Sequence, residues 1–341
     1  MLNLLVLLAD ASATENLSIF DPASPSALSI RSLSILVAGI SAFIFVIVEG
    51  VLLYCVARFR RRTAKRGSEP PQVYGSTSIE IAWTVAPALI VFILVLVVTR
   101  TLWDVNRPHP KPVAGDQTLF VTVIGHQWWW EYIYETYDGQ TLGVVTANEL
   151  RMPVSSPGVD RPVYLTLKSA DVCHSFWVPR LGGKTDLIPG HPNEHWLQTD
   201  KTGLFLGQCA EYCGTQHANM LLRVVVEEPA EFERWLANEA KPAVEPAAGE
   251  PAATGRATFL GQSCVNCHRV RGTPARGSVG PDLTHLMSRQ TLASGMVPND
   301  RENLRKWLLN PQQVKPGCLM PAFGLTPREF DQIVDYLVTL R

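Results

Sequence analysis

A chain of 341 residues, 46% of them apolar, is long enough for two or three domains. With 30 basic against 31 acidic side chains its formal net charge is −1, which lacks the basic surplus that nucleic-acid binding needs, so no nucleic acid is expected among its partners. Four of the seven cysteines fall in close pairs, Cys209 with Cys213 and Cys264 with Cys267, while Cys55, Cys173 and Cys318 stand alone. That spacing points to cofactors before it points to a disulfide framework.

Residues 1–28 open with a short apolar run, Leu4 to Leu8, followed by small residues through Ala13. This is the outline of a secretory leader without the basic residue that normally precedes one, and removal and retention both stay open. From Leu33 to Val56, and again from Ile79 to Trp103, the chain is almost wholly apolar. Each run is near the roughly 20 residues that cross a bilayer, so residues 29–106 are predicted to form a two-helix transmembrane hairpin in contact with lipid. Arg58, Arg60, Arg61, Arg62, Lys65 and Arg66 lie between the runs. A short loop this basic stays on the cytoplasmic side, which puts everything after Trp103 outside. Glu49 sits within the first run, where an acid is a functional candidate by default or a hydrogen-bonding contact to a neighbouring subunit. Glu80, at the start of the second, reads equally as an interfacial acid favoured by the helix dipole.

Residues 107–230 change pattern to short alternating stretches such as Thr118 to Ile124, Val163 to Lys168 and Met220 to Val226, separated by Gly, Pro and Asp. They predict an all-β sandwich or barrel. Residues 231–254 form a connecting segment, and the Ala, Pro and Glu of Lys241 to Gly255 predict a semi-extended linker. Residues 255–341 read as helical at both ends. The final helix is well marked: Thr326 can cap it, Pro327 suits its first turn, Glu329 completes a capping box, and Phe330, Ile333, Val334 and Leu337 fall on one face.

The stretch Cys209-Ala-Glu211-Tyr-Cys213-Gly-Thr-Gln-His217-Ala-Asn-Met220 places two thiolates, one imidazole and one thioether within twelve residues. Thiolate and thioether sulfur favour Cu(I) and imidazole suits copper in either oxidation state, so the set fits a copper that cycles between them. Zinc would accept the cysteines and the histidine, but seldom a thioether. A further ligand is expected from His174 in Asp171-Val-Cys-His174-Ser-Phe-Trp. In an extended chain neighbouring side chains point to opposite faces, so a His174 aimed at the metal turns Cys173 away. The competing reading of Cys209 and Cys213 is a small disulfide loop.

Gly125-His-Gln-Trp128-Trp-Trp130, the His174 stretch, Lys184-Thr-Asp186 and the cysteine motif together resemble subunit II of cytochrome c oxidase, over residues 28 to 228. The resemblance implies a cupredoxin domain holding a dinuclear copper centre, CuA. It implies the ligands His174, Cys209, Glu211 through its backbone carbonyl, Cys213, His217 and Met220, with the cysteines bridging both coppers. It also implies a magnesium ion on the Glu211 side chain at the boundary with the catalytic subunit, Trp128 as the docking-surface indole through which electrons enter from cytochrome c, and Glu80 at the mouth of a proton pathway. Trp129 and Trp130 read as core or interface aromatics.

Cys264-Val-Asn-Cys267-His268 is the attachment pattern of haem c, with two thioethers and one axial histidine. A chance match or a thioredoxin-like pair is the alternative. The second axial ligand is expected from Met320 in Lys315-Pro-Gly-Cys-Leu-Met320-Pro, which resembles the methionine loop of class I cytochromes c; Met287 and Met296 compete. His285 reads as an ordinary surface or loop histidine.

The whole therefore resembles a bacterial oxidase subunit II fused to a cytochrome c domain, as in caa-type oxidases: transmembrane hairpin, all-β cupredoxin sandwich at 107–230, all-α cytochrome c domain at 255–341. The resemblance implies the electron-input subunit of a respiratory haem-copper oxidase in the cytoplasmic membrane. Its partners would be catalytic subunit I, subunit III and a cytochrome c or similar donor; oxygen reduction and proton translocation would belong to the complex. The linker would raise the effective concentration of haem at the copper domain. Two rivals remain, a copper-less quinol oxidase subunit II and a membrane-tethered copper-delivery protein.

Overall fold

A computed structural model describes residues 17–60, 72, 74–106, 118–155 and 162–341. The leader expectation for residues 1–16 and the loop cations Arg61, Arg62, Lys65 and Arg66 lie outside the described residues.

Helix α1 spans Pro25–Phe59 and helix α2 Thr77–Asn106, 35 and 30 residues long. At a rise of about 1.5 Å per residue either exceeds the ~30 Å hydrocarbon core of a bilayer. Their large apolar side chains, among them Phe43, Val46, Leu53 and Phe92, are exposed within the chain, as suits surfaces that meet lipid or other subunits. Both helices run beyond the apolar stretches from which they were predicted, because polar residues at membrane ends continue a helix once it is nucleated.

Beyond the hairpin, ten strands form two five-stranded sheets. One has the order β3 (Gln140–Ala147), β2 (Trp129–Tyr137), β1 (Leu119–His126), β5 (Val163–Ser169), β8 (Asn193–Leu197). The other runs β4 (Glu149–Pro153), β10 (Leu221–Glu227), β9 (Gly203–Cys209), β6 (His174–Trp177), β7 (Thr185–Leu187). The alternation predicted for this region is explicit in β2, where Trp130, Tyr132 and Tyr134 are fully buried at a period of two. Trp130 meets Phe176 of the opposite sheet edge to face. The β1–β5 and β4–β10 pairs are parallel, and the remaining neighbours are antiparallel.

The sandwich does not end at residue 230. Helix α3 (Pro229–Glu239) buries Phe232 and Leu236 in the same core, with Phe232 packed on Tyr137 and Trp235 on Tyr134. The residues expected to begin a connecting segment therefore close the sandwich instead.

The linker expectation needs a second correction. Helix α4 (Pro251–Gly261) begins at Pro251, inside the predicted linker, and buries Gly255 against helix α8 (Pro327–Leu337). A Cβ at residue 255 would lie 1.9 Å from the Gln332 carbonyl oxygen, so glycine is what lets the two helices touch. The preceding residues are laid onto the C-terminal unit: Ala243 N–H donates to the Arg271 carbonyl at 3.0 Å, and the Arg271 guanidinium donates to the carbonyls of Glu239 and Ala240. His285, expected at a surface or in an open loop, is buried with Nδ1 at 2.7 Å from the Arg341 oxygen and Nε2 at 2.9 Å from the Lys241 carbonyl. Contact, not tether length, brings the C-terminal unit to the sandwich.

The C-terminal unit packs Phe259, Leu304, Leu308, Phe330, Ile333 and Leu337 into a second core, using α4, α6 (Arg301–Leu309) and α8. Thr326 caps α8, and its side chain and that of Glu329 make both bonds of the predicted capping box.

Candidate functional site

Strand β9 delivers Cys209 to the end of the sandwich, where β6 delivers His174 beside it; Phe176 and Cys209 are register partners. The chain then turns through Glu211 and Cys213, enters a single 3-10 turn at His217–Asn219, and returns to β10 through Met220. This loop closes because Cys209 N–H donates to the Met220 carbonyl at 2.9 Å and Ala210 N–H to the Ser175 carbonyl at 3.0 Å.

All six expected donors meet there. Cys209 Sγ lies 3.8 Å from Cys213 Sγ, 3.9 Å from His174 Nδ1 and 3.2 Å from the Glu211 carbonyl oxygen. Cys213 Sγ lies 3.6 Å from His217 Nδ1 and 3.8 Å from Met220 Sδ. The sulfurs are central, and each faces one imidazole. At 3.8 Å they are not joined as a disulfide, and the loop-disulfide alternative does not describe this arrangement. His174 is fully buried while Cys173 is exposed, the split expected of neighbours on an extended chain.

The electrostatics suit a cation. A thiol hydrogen bond from Cys213, helped by His174, holds the Cys209 thiol well below its ordinary range. The same contact and burial push the Cys213 thiol up, so one negative charge is shared between two sulfurs until a metal supplies positive charge. Two thiolates, two imidazoles, a thioether and a carbonyl are soft-to-borderline donors, and they fit copper.

Asp171 is a site residue whose part the sequence does not announce. Its Oδ1 lies 2.8 Å from His174 Nε2, and its Oδ2 accepts the Gln127 N–H at 2.6 Å. The bond to Nε2 turns Nδ1 of His174 toward Cys209, and Gly125 leaves room for the ring, since a Cβ there would lie 2.8 Å from His174 Cδ2. Asp171→Asn is expected to lower copper affinity by about 10–100-fold while leaving the coordination spectrum of the loaded site recognisable. Titration against a copper chelator measures it, and an unchanged affinity contradicts the orienting role.

Directly beside this site lies a cavity of roughly 340 Å³. Its walls include Cys264, Cys267, His268 and Met320, with Phe259 and Leu308 from the second core. The two cysteines bound the short helix α5 (Cys264–Cys267), and His268 follows it. His268 Nδ1 sits 2.8 Å from the Pro281 carbonyl, which fixes the tautomer with Nε2 free to bind iron; burial lowers the affinity of this ring for a proton, as a neutral ligand requires. Met320 lines the cavity whereas Met287 and Met296 do not. The donor set and apolar walls fit a covalently held haem c.

The opposite wall belongs to the sandwich: Trp128, Trp129 and Asn148. Trp128 is therefore not an indole on an open docking surface. It is 8% exposed, donates from Nε1 to the Cys213 carbonyl at 2.9 Å, and faces the cavity of the C-terminal unit. The expectation is corrected because that unit covers it. Trp129 also lines the cavity, stacked on His126 at 4.1 Å, and Trp130 is a core residue. Glu211 and Glu80 have exposed side chains; Glu80 stands in the first turn of α2.

The chain is similar in sequence to known proteins along most of its length. Residues 119–228 match the family of cytochrome c oxidase subunit II, periplasmic domain; residues 12–99 match its transmembrane domain; residues 252–341 match cytochrome c. A cytochrome c oxidase subunit 2 of Alkalihalophilus pseudofirmus is 36% identical over 331 residues, 96% of this chain and 92% of that one. One of Bacillus sp. strain PS3 is 35% identical over 297 residues, 83% and 80% of the two chains. The crystal structure of the periplasmic domain of subunit II of cytochrome oxidase of Bradyrhizobium japonicum is 32% identical, with a TM-score of 0.32, and covers 38% of this chain and 95% of that one. With a transmembrane hairpin, a sandwich that gathers the expected donors and a haem-attachment motif in its own helical unit, the chain belongs to the cytochrome c oxidase subunit II family, in a form that also carries a cytochrome c domain.

Proposed function

We propose that this chain receives electrons from an external cytochrome c or similar donor at haem c, passes them to a dinuclear CuA centre, and delivers them to the catalytic subunit of a haem-copper oxidase. When bound, the haem and the dicopper centre supply the one-electron chemistry that no side chain here provides. The observation that carries the reading is the cluster of six donors around a pair of sulfurs 3.8 Å apart, with a haem-motif cavity beside it and Trp128 between the two.

Each residue then has a definable task. Cys264 and Cys267 would tether the porphyrin, and His268, aimed by the Pro281 carbonyl, and Met320 would hold its iron; a His/Met pair raises haem potential and so would suit a carrier feeding copper. Cys209, Cys213, His174, His217, Met220 and the Glu211 carbonyl would hold the copper, the two cysteines at the middle of the set. A rigid β framework keeps these atoms in place as the charge changes, which limits the reorganisation that would slow transfer. The exposed Glu211 carboxylate is free to bind magnesium at the boundary with subunit I. The hairpin would hold the chain in the cytoplasmic membrane against subunits I and III, with both soluble domains on the outer side.

A quinol oxidase subunit that keeps this fold needs no copper ligands, and a delivery protein needs no haem, so the intact donor set and the complete Cys-Val-Asn-Cys-His motif favour neither rival. Rapid mixing of the reduced donor with the intact oxidase tests the order: haem c is expected to be reduced before copper, and copper reduced first would overturn it. For Glu80, Glu80→Gln is expected to slow oxidase turnover about tenfold or more if the carboxyl relays protons at the mouth of a pathway, with copper and haem spectra unchanged. Turnover at the wild-type rate removes that role.

A further inference from the structure

Glu149, Glu239, Arg289 and Lys315 are charged side chains buried where the sandwich meets the C-terminal unit, and the first and last of them reach farthest across it without being among the expected copper or haem donors. Glu149 opens strand β4 and is 3% exposed; Lys315, five residues before Met320, is 2% exposed. Each is satisfied chiefly by the other domain. The Glu149 carboxylate accepts from the backbone N–H groups of Gln290 and Thr291 and from the Thr291 hydroxyl, all at 2.9 Å. Lys315 Nζ donates to the carbonyls of Trp128 at 2.7 Å and Asn219 at 2.9 Å in the sandwich, and of Ala293 at 3.1 Å in its own unit.

The segment between these anchors is shaped for the contact. Ala293, Ser294 and Gly295 have φ of 54°, 63° and 87°, and this left-handed turn presents the Ala293 carbonyl to Lys315 and the Ser294 hydroxyl to the Leu221 carbonyl at 2.7 Å. Non-glycine residues hold such a conformation only where the surroundings compensate for it. A domain that came and went on a flexible linker would break these hydrogen bonds at each departure and would have to desolvate both charges again at each return.

We propose that Lys315 and Glu149 form an interdomain clasp that keeps the cytochrome c domain docked on the copper domain as its resting state, with Lys315 a positioning residue for electron transfer across Trp128. The clasp rests on the electron-transfer reading above. Burial pulls the Lys315 ammonium down to about 7, and the three carbonyls oppose that pull, one for each N–H of the charged form, where a neutral amine could serve only two. The position matters because Lys315 grips the backbone of Trp128 itself and of Asn219, the neighbour of Met220, while its own loop carries Met320. One ammonium thus ties the loop that carries Met320 to the backbone of Trp128 and to the loop that carries Met220. Because the docked domain covers Trp128, a soluble donor must address the haem domain.

The test uses the intact oxidase with Lys315→Met, which keeps length and burial, and Glu149→Gln, which keeps shape. After flash reduction of haem c, copper reduction is followed in time. In both variants, haem and copper spectra and reduction of haem by the donor are expected to match wild type. Haem-to-copper transfer should fall about tenfold or more and become slower as sucrose raises viscosity, because docking has become the slow step. A wild-type rate in both variants overturns the clasp, and so does a slow rate that ignores viscosity. Should Lys315→Met not accumulate, Glu149→Gln decides alone on the same two readouts. A wild-type chain without a dicopper signal or without haem defeats the electron-transfer reading instead, before any variant is compared.

Discussion

Replacing Cys213 by Ser is expected to abolish the dicopper spectrum and to cut electron delivery to the catalytic subunit by about 100-fold or more, a larger loss than changes to residues behind the ligands produce. The reason is position. Cys213 Sγ lies within 3.8 Å of Cys209 Sγ, His217 Nδ1 and Met220 Sδ, so its removal takes away the proposed second bridging sulfur and the anchor around which half of the donors are grouped. A hydroxyl is a harder, less basic-to-copper donor than a thiolate and cannot spread one unpaired electron over two metals. The haem spectrum should be untouched, because no haem donor lies in this loop. Copper analysis and electron paramagnetic resonance on purified Cys213→Ser oxidase measure the outcome, and a retained two-copper signal contradicts the assignment of the bridge.

Trp128→Leu is expected to slow transfer from haem to copper by about tenfold or more, without moving either absorption spectrum. Trp128 stands in the wall of the haem-motif cavity, and its indole N–H bonds the carbonyl of Cys213, so it directly connects the two sites, as does Gln127, whose amide donates to the same carbonyl at 2.8 Å. Leucine keeps the site apolar but removes both the π-system and the hydrogen bond. Stability should fall as well, because a buried tryptophan replaced by a smaller residue leaves a cavity, so thermal unfolding is measured alongside. Transfer at the wild-type rate in a folded variant would sink the proposed route through the indole.

What could be read directly from the chain was what local spacing encodes. The proposed copper donors between Cys209 and Met220 sit within one loop, so their chemistry is visible without knowing the fold. The haem motif and the capped final helix are local for the same reason. The apolar hairpin is legible because bilayer thickness sets a length. His174 could be singled out, but Asp171, which aims it, could not, since an Asp three residues before a His is an ordinary pattern until the ring is seen against Cys209.

The errors share a cause, the seam between domains. Ala, Pro and Glu are common in linkers and equally at home in the first turn of a helix; only Gly255, forced by the approach of Gln332, separates the readings. His285 lacks a metal-spaced partner, and its burial follows from two carbonyls distant in sequence. Trp128 would be the exposed docking indole of its family's pattern were the second domain absent; here that domain covers it. Lys315 and Glu149 are 166 positions apart in the sequence, and nothing local marks either as buried.

The claim on which everything else depends is that one chain holds two sulfur-bridged coppers and one thioether-bound haem. Metal analysis with electron paramagnetic resonance on the purified, fully matured protein tests it most directly. The expected result is two coppers and one iron per chain, with a hyperfine pattern from one electron shared over both copper nuclei beside a low-spin haem c spectrum. Zinc in place of copper, a single isolated copper, or a chain without iron would contradict it.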